Sequence, residues 1–253
     1  MQFLYQKTLW DIENFLEKET NKLKKNTTKT SLKNCIRKSF YLEENKGNNS
    51  FGFEKNKNKK LYVPEVIYGD EQDIKIGSEI VFEDEGVRSI GLESYVYGKT
   101  QHTQTPVFIC DNHNQVLEAW NCVKDKQLTL VHIDQHKDDA LFTGDKENWI
   151  RETKICDYIS CAQQLNWIQE KYFSFIEIQD LDQIKNINTQ EKVILNIDLD
   201  FFSPDLSTVN LEEKLKLILF FVPQVEIITL ATSPLFIDQE FAIEIGKLFW
   251  KYL

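Results

Sequence analysis

The chain has 253 residues, a net charge of −10 and 42% hydrophobic residues. That suits one large α/β domain, while the acidic balance argues weakly against nucleic acid as a partner and weakly for a cationic substrate. No run reaches ~18 apolar residues, so no membrane helix is expected, and five cysteines without a C-x-x-C pair fit a reducing, cytoplasmic setting without disulfides.

The opening "MQFLYQKTLWDIENF" has acids inside its apolar stretch and no small-residue cleavage site. It does not read as a signal peptide. Residues 3–24 place Phe3, Leu4, Leu9, Trp10, Ile12, Phe15 and Leu16 at roughly helical spacing, which predicts an amphipathic helix. Residues 43–60 are rich in Lys and Asn and read as a solvated, mobile loop. Residues 61–100 read as short strands joined by turns. Together, 1–87 form an N-terminal elaboration of a single domain spanning 1–253.

After Thr105 the texture changes. "PVFIC", "LTLVHID", "FSFIEI", "KVILNIDLDFF" and "EIITLAT" read as strands. "NQVLEAWNCVKD", "ENWIRETKICDYISCAQQLNWIQEKY", "LEEKLKLILFF" and "DQEFAIEIGKLFWKYL" read as helices between and after them. Alternation of this kind implies βαβ units and a mostly parallel central sheet flanked by helices. Functional groups on such sheets gather at the carboxyl ends of the strands.

Three strand ends carry chemistry. "LVHIDQHKDDA" sets Asp134, His136 and Asp138 on alternate positions, which in a strand point the same way. "LNIDLDFFSPD" does the same with Asp198 and Asp200, and "ICDNHN" places His113 after an apolar run. Buried carboxylates without compensation are expensive, and a cation would remove that cost. Each motif alone has a plain reading: acids capping a strand, a solvated turn, a hydrogen-bonded histidine. Their co-occurrence carries the metal reading. Asp and His ligands without cysteine suit Mn²⁺ or another fairly hard divalent ion better than structural zinc. Six ligands exceed one tetrahedral ion and match two ions ~3.5–4 Å apart that share carboxylates.

D-x-H-x-D after one strand and D-x-D after a later one resemble the two central motifs of the arginase/deacetylase superfamily. "HIDQHKD" and "DLDFF" are most similar to a small arginase-like family that includes peptide arginases of ribosomal peptide maturation. "CDNHNQVLEAW" resembles that family's upstream motif, and the likeness covers roughly residues 88–235. It implies an arginase-like three-layer α/β fold with two Mn²⁺ per chain. His113, Asp134, Asp138 and Asp198 would hold one ion. Asp134, His136, Asp198 and Asp200 would hold the other, with Asp134 and Asp198 bridging. Asp138 would pass the proton to the leaving amine.

The sequence departs from arginases of free arginine in two places. No histidine follows His136 to act as proton shuttle, and "LATSPLF" has no acid where those enzymes grip the guanidinium. The expected substrate is therefore an arginine side chain in a precursor peptide, hydrolysed to ornithine and urea. The alternatives are a small-molecule amidine or amide hydrolase of the superfamily, agmatinase-like or a deacylase, and a non-catalytic metal-stabilised binding module. A guanidinium needs an acceptor, for which Asp139, Glu93, Glu118 and Asp238 are candidates, with Trp120 as a pocket wall or cation–π partner. Trp120 also fits a plain core position. His102 reads as a loop residue able to replace the missing shuttle. His132 reads as core or as support behind the ligands.

Overall fold

A computed structural model describes residues 2–25, 35–51, 59–170, 172–175, 192–203 and 211–253. Helix α1 (Gln2–Thr20) comes first. Strands β1 (Phe40–Leu42) and β2 (Leu61–Val63) pair antiparallel. Next come β3 (Val66–Tyr68), the hairpin β4 (Ile76–Asp84) and β5 (Val87–Leu92), then β6 (Tyr95–Lys99) and β7 (Pro106–Cys110). The remaining elements are α2 (Leu117–Asn121), β8 (Thr129–Ile133), α3 (Trp149–Glu152), α4 (Tyr158–Gln164), β9 (Phe173–Phe175), β10 (Val193–Asp198), α5 (Leu211–Phe221), β11 (Val225–Ala231) and α6 (Gln239–Tyr252).

The central sheet has seven strands in the order β3-β6-β7-β11-β10-β8-β9. Every pairing is parallel except β6 with β7. Strands β7, β8, β10 and β11 are buried at every position, as expected when helices cover both faces of a parallel sheet. Gly246 of α6 packs over Ile109 on one face. On the other, Trp120 of α2 and Tyr158 of α4 lie against each other, with ring centroids 5.6 Å apart. The α/β class and the mostly parallel sheet are as the sequence predicts.

Helix α1 buries Ile12 and Leu16 and leaves Trp10 exposed. It rests on α5 and α6, and Glu13 reaches Lys251 and the Tyr252 hydroxyl. Within residues 1–87, β3 supplies an edge strand of the main sheet. The β4–β5 hairpin turns on Glu85 and Gly86, both at positive φ, the geometry of a type I′ turn.

Four expectations need correction. The 43–60 loop is partly structured: Gly47–Ser50 forms a 3₁₀ turn with Asn48 and Asn49 buried. Asn48 bonds Asn114 and the Ile155 amide, so its polar groups are satisfied by protein and not by water. Residues 52–58 lie outside the described residues. The helix expected over "NQVLEAWNCVKD" is a 3₁₀ turn, His113–Val116, followed by the short α2.

The long helix expected from Glu147 onward splits into α3 and α4. Between them the backbone finds tertiary partners: Thr153 O accepts from Asn114, Ile155 N donates to Asn48, and Cys156 O accepts from Ala140 N. Finally, Cys35 and Cys122 form a disulfide with Cα atoms 6.6 Å apart. Sequence spacing of 87 residues hides such a pairing. Cys110, Cys156 and Cys161 are free. No described helix is long and apolar enough to cross a membrane.

Gly98 of β6 has no room for a side chain. A Cβ there would stand 2.3 Å from the Gly69 carbonyl and 2.7 Å from the Trp250 ring. Gly98→Ala is expected to lower unfolding free energy by about 1–3 kcal/mol through overpacking, read as a reduced urea midpoint at unchanged slope.

Candidate metal centre

Strand β8 ends at Ile133, so strand alternation does not bring Asp134, His136 and Asp138 together. A bend does. Asp134 hydrogen-bonds its own loop, its Oδ1 accepting from the His136 amide at 2.8 Å. Asp138 then takes a positive φ of 49°, uncommon for a non-glycine residue, which turns its carboxylate back toward the sheet. His113 opens the 3₁₀ turn after β7. Asp198 is the last residue of β10 and caps the following turn, accepting from the Asp200 amide at 3.1 Å.

Parallel pairing puts these strand ends side by side. His113 Nδ1 lies 2.9 Å from Asp134 Oδ2, 3.1 Å from Asp138 Oδ2 and 3.2 Å from Asp198 Oδ2. His136 Nδ1 lies 3.2 Å from Asp134 Oδ1 and 3.4 Å from Asp200 Oδ2. The two oxygens of Asp134 thus serve two different groups. Ligand atoms of His113, His132 and Asp134 fall within 4.8 Å of one another, as do those of Asp134, His136 and Asp200. Asp198 joins His113 in the first group through Oδ2, which also accepts from Ser233 at 2.6 Å, and its Oδ1 accepts from the Asp200 amide beside the second.

The cluster fits cations. Asp134 Oδ2 and both oxygens of Asp200 are buried without a well-formed hydrogen bond, a costly state for ionised carboxylates that a divalent ion relieves. Oxygen-rich sets with one or two imidazoles suit fairly hard divalent ions such as Mn²⁺. His113, Asp134, Asp138 and Asp198 form one potential set, and Asp134, His136 and Asp200 a second.

Electrostatics follow burial and neighbours. Burial pushes the carboxyl pKa of Asp198, Asp200 and Asp138 above the usual range, and at Asp198 the Asp200 charge adds to it. At Asp134 burial is outweighed by His113 and His136, and its pKa falls. Burial opposes charge on His113, but Asp198 and Asp134 outweigh it and raise its pKa. His136, only half-buried, rises to about 10 through its bonds to Asp134 and Asp200. Burial dominates at His132 and lowers its pKa.

A cavity of about 200 Å³ opens onto the cluster. His113, His136, Asp138, Asp198, Asn112 and Ser233 form its polar lining, and Ile155, Cys156, Leu235 and Phe236 its apolar part. The Phe236 ring packs 5.1 Å from His136. Ser233 and Cys156 carry no motif signal in the sequence, and the tertiary turn at 153–157 alone brings Cys156 here.

The expected guanidinium acceptors fare differently. Glu118 is buried and already holds a guanidinium, that of Arg37, through contacts of 2.6 and 2.7 Å. Trp120 is fully buried and donates to Thr229 Oγ1 at 3.3 Å, which makes it core. Asp238 caps α6 by accepting from the Phe241 amide. Glu93 lines a separate cavity with Tyr62 and Ile76. Asp139 is exposed beside Asp138. His102 sits in the β6–β7 turn, at the end of β7 opposite His113; five strand residues separate the two ends by ~15 Å, too far for a proton shuttle.

No protein-family model and no curated protein matches the sequence. Among solved structures, the chain is similar to proclavaminate amidinohydrolase from Streptomyces clavuligerus, with a TM-score of 0.42 and 17% identity over 58% of this chain and 63% of that one. It is also similar to a hypothetical agmatinase from Burkholderia thailandensis, with a TM-score of 0.43 and 12% identity over 57% of this chain and 56% of the other. The chain spans less than two thirds of either protein's length.

Two outcomes are expected. Glu118→Ala strands the Arg37 charge and should cost about 3–5 kcal/mol of stability, while the number of ions bound per chain stays as in the parent protein. Asp157, pushed up to about 6 by burial, holds its proton more tightly folded than unfolded (~3.9). Its ionisation therefore opposes folding above about pH 6 and has no effect below about pH 4. Chemical denaturation across that window should show the stability of Asp157→Asn gaining on the parent protein as pH rises.

Proposed function

We propose that this chain is a binuclear-metal hydrolase of C–N bonds that converts an arginine side chain within a peptide to ornithine, releasing urea. The observation that carries the reading is the shared carboxylate: Asp134 joins two Asp/His sets, and His113, His136, Asp138 and Asp198 of those sets line one cavity. His113, Asp134, Asp138 and Asp198 would hold one Mn²⁺, and Asp134, His136 and Asp200 the other. Two divalent ions, when bound, supply the Lewis acidity that lowers the pKa of water from ~15.7 toward neutrality.

The chain's own residues do the rest. The apolar collar of Ile155, Leu235 and Phe236 accepts an alkyl stem and excludes water from around it. The volume, about 200 Å³, suits a side-chain head group more than a whole metabolite, since small-molecule sites run to ~300–1,000 Å³. Asp138 stands on the cavity wall, where it would take a proton from the attacking water. It hands that proton to the leaving amine nitrogen as the C–N bond breaks. Asp139, exposed beside it, is the proposed acceptor for a basic peptide outside the cavity. The peptide itself would be a precursor carrying an internal arginine.

A small-molecule amidine hydrolase is the second reading. The cavity would also admit a short guanidinoalkyl compound.

Purified protein reconstituted with Mn²⁺ is expected to approach about two ions per chain by elemental analysis. A peptide with one internal arginine should then lose ~42 Da, the balance of adding water and losing urea. Free arginine should turn over far more slowly. Faster turnover of free arginine or agmatine would replace the peptide reading with the small-molecule one. Asp198→Ala is expected to abolish turnover, and near-native activity in that variant would remove Asp198 from the ligand set.

A further inference from the structure

Behind the ligands lies a row of polar side chains inside the sheet. Ser174, His132, Asn196 and Thr229 stand at paired register positions on β9, β8, β10 and β11. His132, Asn196 and Thr229 are fully buried. Fully buried polar groups persist when their hydrogen bonds are complete, and here the bonds determine which way each group points.

The fixed point is a carbonyl. His132 Nε2 lies 3.2 Å from the His136 carbonyl oxygen, which can only accept. Nε2 therefore carries the hydrogen. On the other side of the ring, Nδ1 faces Asn196 Nδ2 at 3.2 Å and the Tyr158 hydroxyl at 3.4 Å. Nδ1 accepts, so the ring is neutral with its proton on Nε2. The opposite end of the Asn196 amide agrees: its Oδ1 accepts from Thr229 Oγ1 at 2.8 Å, and its Nδ2 also donates to Tyr158 at 3.0 Å. In a neutral ring, a flipped amide would leave the Nε2 lone pair against the His136 carbonyl.

This tautomer removes His132 from the ligands, although its Nε2 lies 3.5 Å from Asp134 Oδ2. A nitrogen that donates its hydrogen has no lone pair in the ring plane to give a cation. We propose that His132 is a positioning residue: it clamps the 134–138 bend through the His136 carbonyl and so orients His136 and Asp134 for the second ion, while Asn196 and Tyr158 hold its tautomer. The inference uses the metal reading of the cluster but not the peptide-arginase reaction.

The test is ring-nitrogen NMR on the full-length protein, whose four histidines make assignment tractable. Without metal, His132 should show the Nε2–H tautomer. On titration with Zn²⁺ as a diamagnetic probe, a nitrogen of His113 and one of His136 should shift to metal-bound values while His132 keeps its pattern. A metal-induced coordination shift at His132, or an Nδ1–H tautomer, would overturn the proposal. If His113 and His136 do not respond either, the metal reading itself fails, and with it the basis of this inference.

Variants give a second readout by calorimetry with Mn²⁺. His132→Phe should keep the number of ions but weaken the looser one by roughly 10- to 100-fold, the usual cost of losing a group that orients a ligand. His132→Gln, which can place an amide donor near the Nε2 position, should recover most of that loss. Unchanged affinity in a folded His132→Phe would reduce His132 to core packing. Loss of one ion in both variants would make it a ligand. If His132→Phe does not fold, the NMR measurement on the parent protein still decides.

Discussion

The structure depends on how one buried carboxylate is satisfied. Asp134 has no exposed surface, and its two oxygens face two different imidazoles, His113 and His136. An isolated charge in that position would be prohibitive. With an imidazole on each side it becomes the junction between the two candidate ligand sets. The parallel pairing of β7, β11, β10 and β8 exists at this end of the sheet to deliver those partners, since each strand ends within reach of its neighbour's last residue. Asp198 and Asp200, both raised by burial, show the same tension: acids concentrated where water is scarce, in an arrangement that favours a multivalent cation.

The scaffold behind the site is polar as well as apolar. A conventional core would place aliphatic groups at 132, 196 and 229. Here Trp120 donates to Thr229, Thr229 to Asn196, and Asn196 to Tyr158 and His132. A connected network of this kind rigidifies a core when every member is paired and destabilises it when one is not. Its stiffness is transmitted directly to the 134–138 bend, where Asp138 already sits in a left-handed conformation costing of order 1 kcal/mol or more.

The first third of the chain fastens the walls of the cavity. Arg37 grips Glu118 on α2, and Cys35 is bonded to Cys122 just beyond that helix. Asn48 bonds both Asn114, next to His113, and the Ile155 amide in the turn that lines the cavity. Lys46 pairs with Glu152 on α3 at 2.5 Å. These contacts reach the site's supports from outside the sheet. They tie down the 3₁₀ turn that carries His113 and the two short helices near it, elements with little intrinsic stability of their own.

By itself the sequence determined the class of fold and the identity of the candidate ligands. Apolar runs of strand length ending in Asp and His declare buried parallel strands with chemistry at their tips, and both signals are local, written within a dozen residues. What only the tertiary structure decided is everything set by partners distant in the chain. Glu118 looked available as a guanidinium acceptor until Arg37, 81 residues away, filled it. The helix from Glu147 broke because Asn48 and Asn114 captured its backbone, and that break carried Cys156 to the cavity. Asp134, His136 and Asp138 seemed aligned by strand alternation, yet the strand stops at Ile133 and a bend, closed by Asp134 on the His136 amide, aims them. Periodicity reports which residues can share a face; it contains no information on which distant group will satisfy a buried charge, and here that satisfaction selects the geometry.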